Sequence, residues 1–200
     1  ASDTLPANEG LLNANFYLAE SQYNQKNYPD ALTHYTYVLD AGSTPFTERS
    51  AAQAAWISFY QNKDYPAALK YFTQLSQLST SKENTLNALR GILRCNYQLS
   101  QWPSVATSAQ ALLGAANIST DDQIVGYFYL ARALQAQNQY DSAVTNYTTV
   151  SQMTKSELGA ESRYYIGTCR LAQNDLKGAE TAAYDVIKNT PSYDYWVASA

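Results

Sequence analysis

The feature that most constrains this chain is a short turn that recurs five times. It reads Asn27-Tyr28-Pro29-Asp30-Ala31, Asp64-Tyr65-Pro66-Ala67-Ala68 and Gln101-Trp102-Pro103-Ser104-Val105, then Gln139-Tyr140-Asp141-Ser142-Ala143 and Asp175-Leu176-Lys177-Gly178-Ala179. Its aromatic or leucine member falls at 28, 65, 102, 140 and 176, at intervals of 37, 37, 38 and 36 residues. A period of that size, held over five copies, specifies an array. One unit cannot bury its own apolar face, so it stacks on the next.

Each period holds two stretches of helical rhythm. In the first, 8–25, Leu11, Leu12, Asn15, Phe16, Leu18, Ala19 and Tyr23 recur at helical spacing; in the second, 30–41, Ala31, Leu32, Tyr35, Val38 and Leu39 share a face. The pattern returns as 46–61 and 65–78, 82–99 and 102–114, 121–137 and 140–152, and 156–173 and 176–189. Short connections between such stretches give antiparallel pairs. The turn has a physical logic. Asn27, Asp64 and Asp175 are placed to cap the following helix, and Pro29, Pro66 and Pro103 fall in its first turn, where a missing N–H is harmless. Thr80 with Glu83, Ser119 with Asp122 and Thr154 with Glu157 carry capping-box spacing, and Thr44-Pro45 and Thr190-Pro191 read as helix starts.

Composition excludes several functions. The net charge is −4 and the pI about 4.9, which argues against a protein that tracks nucleic-acid phosphates with basic stripes. No run of about 18 apolar residues is present to span a membrane. Ala1–Gly10 is polar, without a basic start, and reads as a trimmed mature beginning. Charged residues are 15% of the chain, against a typical ~25%, while tyrosines number 18. Tyr serves both as core and as contact surface. Cys95 and Cys169 share one phase of the period, two repeats apart. Helix spacing puts them on the order of 20 Å apart, too far for a disulfide, which needs Cα atoms within ~7 Å. Both are expected as small buried thiols.

The repeat resembles the tetratricopeptide repeat. The resemblance rests on a small residue in the first helix (Ala19, Ala131, Gly167), the aromatic in the turn, and a small residue early in the second helix (Ala31, Ala68, Val105, Ala143, Ala179). A large residue follows at Tyr35, Phe72 and Tyr147. It covers roughly 8–190. Departures are clear: Trp56 and Leu93 break the small column, Val38, Leu75, Leu112, Val150 and Val186 fill a later one, and the usual closing Pro is absent from most copies. The period is nearer 37 than the family's ~34. These features resemble longer-period repeats of bacterial envelope proteins and Tyr-, Asn- and Gln-rich tetratricopeptide proteins of Bacteroidetes, which implies a periplasmic or cell-envelope setting.

The expected fold is all-α: a right-handed α-α superhelix of five helix-turn-helix repeats at 8–43, 44–79, 80–117, 118–153 and 154–190. Residues 191–200 open a truncated sixth, all within one solenoid over 1–200. Because Tyr193-Asp194-Tyr195-Trp196-Val197-Ala198 begins a further first helix, the chain reads as part of a longer protein. That end is expected either to fold back as a capping half-helix or to mediate end-to-end self-association.

No catalytic constellation is visible. His34 is the single histidine and reads as a surface residue. With two distant cysteines it cannot complete a zinc set. Asp121-Asp122 reads as helix-start charge rather than a cation site. The glycines form no phosphate-cradling loop. Neither catalysis, a metal nor a cofactor is expected.

The resemblance implies that first helices line a concave wall. Read by phase, the wall holds Phe16, Glu20 and Tyr23; Gln53, Ile57 and Tyr60; Arg90, Arg94 and Tyr97; Phe128, Arg132 and Gln135; and Tyr164, Thr168 and Leu171. All six arginines, Arg49, Arg90, Arg94, Arg132, Arg163 and Arg170, lie in first-helix stretches. Two readings stand. In one, Arg90, Arg94 and Arg132 with Tyr97 and Phe128 capture an acidic side chain or a C-terminal carboxylate of a partner peptide. In the other, the arginines pair with carboxylates across repeats, and Arg163 and Arg170 favour this. The Lys/Asn clamp of some family members is missing, because Phe16 and Glu20 stand there. The expected function is protein–protein interaction or scaffolding. The alternatives are sugar binding by Tyr23, Tyr60, Tyr97 and Phe128, or docking of an enzyme domain outside this sequence.

Overall fold

Each recurring turn is built on one residue with left-handed backbone. Lys26, Lys63, Ser100, Asn138 and Asn174 have φ of 61°, 52°, 54°, 61° and 63°, each two residues before the aromatic or leucine of its turn. In the first, fourth and fifth turns the next N–H reaches five residues back: Asn27 N donates to Gln22 O at 2.8 Å, Gln139 N to Leu134 O at 2.9 Å, and Asp175 N to Arg170 O at 2.9 Å. This is the Schellman closure of a helix C-terminus. The donor residue then serves as N-cap of the next helix. Across all five turns that residue has φ between −83° and −87° and ψ between 63° and 81°. Two residues therefore end one helix and start the next.

This computed structural model describes residues 9–190 and 192–200. Asn8 and the Pro191 of the expected last helix start lie outside the described residues. The helices are α1 Glu9–Asn24, α2 Tyr28–Asp40, α3 Thr47–Trp56, α4 Tyr65–Leu78, α5 Lys82–Gln98, α6 Trp102–Leu113, α7 Thr120–Ala136, α8 Tyr140–Met153, α9 Glu157–Ala172, α10 Leu176–Asn189 and α11 Asp194–Ser199. The chain is all-helical among the described residues. It divides into two compact units, Ala1–Leu99 and Ser100–Ala200.

In the first unit, α1 to α5 pack each on the next. The core is Phe16 and Ala19 from α1, Ala31, Tyr35 and Val38 from α2, Ala51, Ala54 and Ala55 from α3, and Ala68, Phe72 and Leu75 from α4. In the second unit, α6 to α10 pack in the same serial way, around Ile124, Phe128, Ala131, Ala143, Tyr147, Val150 and Cys169. The early second-helix column behaves as its composition requires. Ala31, Ala68, Val105 and Ala143 are fully buried, and Ala179 nearly so. Cys95 and Cys169 are buried and unbonded. Burial pushes their thiols up to about 12 and about 11.

Several expected details shift. The stretch 46–61 is not one α-helix: α3 gives way to a π-helical turn at Ile57–Gln61. The extra residue lengthens the closure of the second turn, where Asp64 N bonds Ser58 O six residues back, at 2.9 Å. Asp64 and Asp175 cap as expected, accepting from Ala67 N at 3.0 Å and Gly178 N at 2.9 Å. Asn27 does not cap, because its side-chain amide donates to Asp30 at 2.7 Å instead. The Ser119–Asp122 capping box is present. The α5 cap is Ser81, which accepts from Asn84 N, rather than Thr80. At α9 the cap position is Ser156, whose N–H is held by Thr154 Oγ1. The α3 start falls at Thr47 rather than Thr44. His34 is half-buried rather than outward, 2.7 Å from Asn15 Oδ1. The last residues form a helix: α11 packs on α9 and α10, with Trp196 against Tyr164 and Tyr165 at 5.5 and 6.2 Å.

Left-handed backbone costs a side-chain-bearing residue about 1 kcal/mol, and Asn less than most. Lys26→Gly and Lys63→Gly should therefore each raise unfolding stability by up to about 1 kcal/mol in urea, whereas Asn138→Gly and Asn174→Gly change it little.

Candidate functional site

In the first unit the expected wall splits into filled and open parts. Phe16 is core rather than surface, its ring stacked on Phe46 at 4.4 Å. Glu20 is already engaged: it accepts from Tyr35 Oη at 2.7 Å and from Arg49 Nε at 3.0 Å, in an ion pair with the Arg49 guanidinium. Ile57 is fully buried. An apolar side chain at the start of the π turn joins the core, so Ile57 lines no groove. Tyr23 is half-buried, edge-on to Trp56 at 5.6 Å.

The open part lies between the π-turn region and α5, where a cleft of about 290 Å³ opens. One side carries Trp56, Phe59 and Tyr60, with Ala52 and Gln53 beside them. The other side is α5, with Asn87, Arg90 and Arg94, and the floor is Phe72 and Leu75. The rings pack in tilted and edge arrangements: Trp56–Tyr60 at 5.5 Å and 40°, Phe59–Tyr60 at 4.8 Å and 68°. Gly91 makes the floor possible. A Cβ there would lie 2.4 Å from the Phe72 ring, so only glycine lets the α5 backbone meet that ring.

The polar rim has distinct partners. Arg94 Nη1 donates to the Tyr60 hydroxyl at 3.0 Å, and Arg90 Nη1 donates to Asn87 Oδ1 at 2.9 Å. Tyr60 is 46% exposed, and Arg94 and Tyr97 are partly exposed. Arginines elsewhere meet carboxylates. Arg163 pairs with Asp185 at 2.9 Å and also donates to the carbonyls of Ser151 and Gly159. Arg170 lies 3.6 Å from Asp141 and 3.8 Å from Asp175. Pairing across repeats therefore describes Arg49 and Arg170, Arg163 pairs within its own repeat, and Arg94 faces a neutral acceptor.

In the second unit the wall is largely self-satisfied. Phe128 is buried, edge-on to Tyr147 at 6.1 Å, so it offers no exposed platform. The Arg132 guanidinium sits 4.1 Å over the Tyr165 ring. Gln135 accepts from Tyr147 Oη at 2.7 Å and donates to Thr168 Oγ1 at 3.0 Å. Tyr164 leans on Trp196. Beside them Glu161 is pushed above the usual carboxylate range. Burial is the main cause and Glu157 adds to it, while Arg132 and a hydrogen bond from Tyr165 oppose it. Among the described residues, no group of three His, Cys, Asp or Glu could hold a metal ion, and no helix is long and apolar enough to cross a membrane.

Sequence reasoning put Gln53, Tyr60, Arg90 and Arg94 on one wall but grouped Arg90 and Arg94 with Arg132, Tyr97 and Phe128; the cleft instead sets Arg90 and Arg94 beside Gln53 and Tyr60. Sequence reasoning missed Trp56, Phe59, Phe72 and Asn87. Trp56 was visible as a break in the small-residue column. Phe59 depends on the π turn, which leaves no periodic signal.

Two tetratricopeptide-repeat family models match the chain, one over residues 129–194 and one over residues 13–41. The chain carries tetratricopeptide repeats over these two stretches. Its fold resembles the MamA protein, with a TM-score of 0.72 at 11% identity, covering 92% of this chain and 94% of that one. It also resembles YrrB, described as a TPR protein with an unusual peptide-binding site, with a TM-score of 0.71 at 14% identity over 92% of this chain and 89% of that one. A third relative in fold is the C-terminal part of a TPR repeat-containing protein from Cytophaga hutchinsonii, with a TM-score of 0.69 at 18% identity, covering 94% and 72% of the two chains. At these identities the likeness concerns the fold alone. No curated protein matches the sequence.

Two measurements test the site's physics. Gly91→Ala gains about 1 kcal/mol of helix propensity but must displace Phe72, which costs about 1–3 kcal/mol. Its urea midpoint should fall. Glu161 is the second case. A carboxyl raised in the folded state adds stability below the unfolded value of about 4.3, and that stability is lost as pH rises through the raised value. Glu161→Gln, compared with wild type by urea unfolding, should therefore fare better at pH 7 than at pH 4, and a pH-independent difference would contradict this assignment.

Proposed function

We propose that this tetratricopeptide-repeat chain is a scaffold that holds a partner protein, and that the cleft between the π turn and α5 takes a segment of that partner. The observation that carries this reading is the cleft's lining. Trp56, Phe59 and Phe72 supply an apolar recess, and the guanidinium of Arg94 at its rim has a neutral partner. Such a recess suits one bulky apolar side chain, and such a rim suits a carboxylate beside it, from an acidic residue or a free C-terminus. Aromatic residues and arginine are the side chains that most often dominate binding surfaces.

Sugar binding draws less support. A sugar face stacks on exposed, roughly coplanar rings, whereas Trp56 and Tyr60 stand 40° apart, Tyr23 is edge-on to Trp56, and Phe128 is buried. Of the remaining wall positions in the first unit, Arg90 and Tyr97 belong to this proposal as neighbours of the docked segment rather than as its anchors.

A random linear-peptide display library selected on the whole chain tests the reading. The expected winners pair an aromatic or branched aliphatic residue with a nearby carboxylate, and Arg94→Glu should weaken them at least tenfold. Winners without acidic groups, or winners held equally by Arg94→Glu, would contradict it.

A further inference from the structure

Tyr60 belongs to the aromatic side of the cleft, yet its hydroxyl is tied to the opposite side. The ring packs on Trp56 and Phe59 at 5.5 and 4.8 Å, and the hydroxyl accepts from Arg94 Nη1 at 3.0 Å. This bond joins the π turn to α5 across the mouth of the recess. Arg94 is thus occupied, but by a neutral acceptor. The Arg94–Tyr60 bond carries charge on the donor alone, whereas a carboxylate pairs two opposite charges and can take the guanidinium fork through two parallel bonds. A carboxylate therefore displaces the phenol, whereas a carbonyl or an amide exchanges one neutral acceptor for another and gains little.

We infer that Tyr60 is an internal competitor for Arg94, a latch that closes the cleft to neutral segments and yields to carboxylate-bearing ones. The inference rests on the cleft reading above and adds a specificity-determining residue to it. The ring itself stays useful after release. With the hydroxyl freed, Tyr60 can swing with its exposed edge over the entering side chain while Trp56 and Phe72 hold their places in the recess. The latch costs every ligand that uses Arg94 the same bond. Its selectivity is a threshold: neutral ligands fall below useful affinity, and anionic ones do not.

The test uses the whole chain and three small probes, N-acetyl-phenylalanine, its amide N-acetyl-phenylalaninamide, and the blocked dipeptide N-acetyl-Phe-Glu-amide. Binding is read by NMR titration. The first and third probes separate a free C-terminus from an acidic side chain as the source of the carboxylate. Tyr60→Phe keeps the ring and removes the competing hydroxyl. It should tighten whichever carboxylate probe the wild type binds by roughly two- to fivefold, the worth of one partly exposed hydrogen bond, and make amide binding measurable. On an Arg94→Met background the same substitution should change nothing, because no competition remains to relieve.

If Tyr60→Phe leaves carboxylate binding unchanged or weakens it, while Arg94→Met still weakens it at least tenfold, the latch is overturned and the cleft reading survives. Tightening that persists on the Arg94→Met background also overturns the latch, since it would then act through packing alone. If neither the wild type nor Tyr60→Phe binds any probe, the cleft reading falls and the latch with it.

Discussion

The structure depends on one backbone event, the single left-handed residue that closes each first helix. At Lys26, Lys63, Ser100, Asn138 and Asn174 the chain turns through a conformation that opposes an L side chain. The residue that follows is at once the last of one helix's closure and the cap of the next. Such a turn leaves no slack. It fixes where the second helix starts, and therefore which of its side chains are carried inward. The full burial of Ala31, Ala68, Val105 and Ala143, each four residues after its turn's N-cap position, is the direct consequence.

On that regular frame the candidate site is a local irregularity. Three departures meet between the second and third first-helix stretches. Trp56 stands where Ala19 and Ala131 stand in other repeats. The helix after it relaxes into a π turn, which carries Phe59 and Tyr60 to the same side. Gly91 removes the Cβ that would otherwise meet Phe72. A large residue, an extra residue and a missing side chain together open a recess of about 290 Å³ with an arginine at its rim. Within each unit, other first-helix positions are closed by their own chemistry: Glu20 by Arg49 and Tyr35 in the first unit, and Gln135 by Tyr147 and Thr168 in the second.

The array was legible in the sequence because its signals are periodic. Turn aromatics, small second-helix residues and helical apolar faces repeat at one interval, and each copy supports the others. What could not be read is what breaks the period. Ile57 shares a phase with Glu20 and Arg94, so phase alone placed it on the wall, while its apolar side chain and the π turn placed it in the core. Phe128 was misplaced for a related reason: phase does not say whether a neighbouring ring, here Tyr147, covers a position. The arginines divided according to whether a carboxylate lay within reach, a matter of three-dimensional neighbours such as Asp185 near Arg163. The left-handed residues escaped notice because Lys, Ser and Asn stand where glycine would have announced the conformation.

The central claim is that the partner docks where the period is broken. Amide hydrogen exchange on the whole chain, with and without a peptide recovered by selection, tests this most directly. The account predicts slowed exchange at 52–61 and 87–94, with α2, α4 and the second unit unchanged. Protection confined to α2 and α4, or to the second unit, would contradict it.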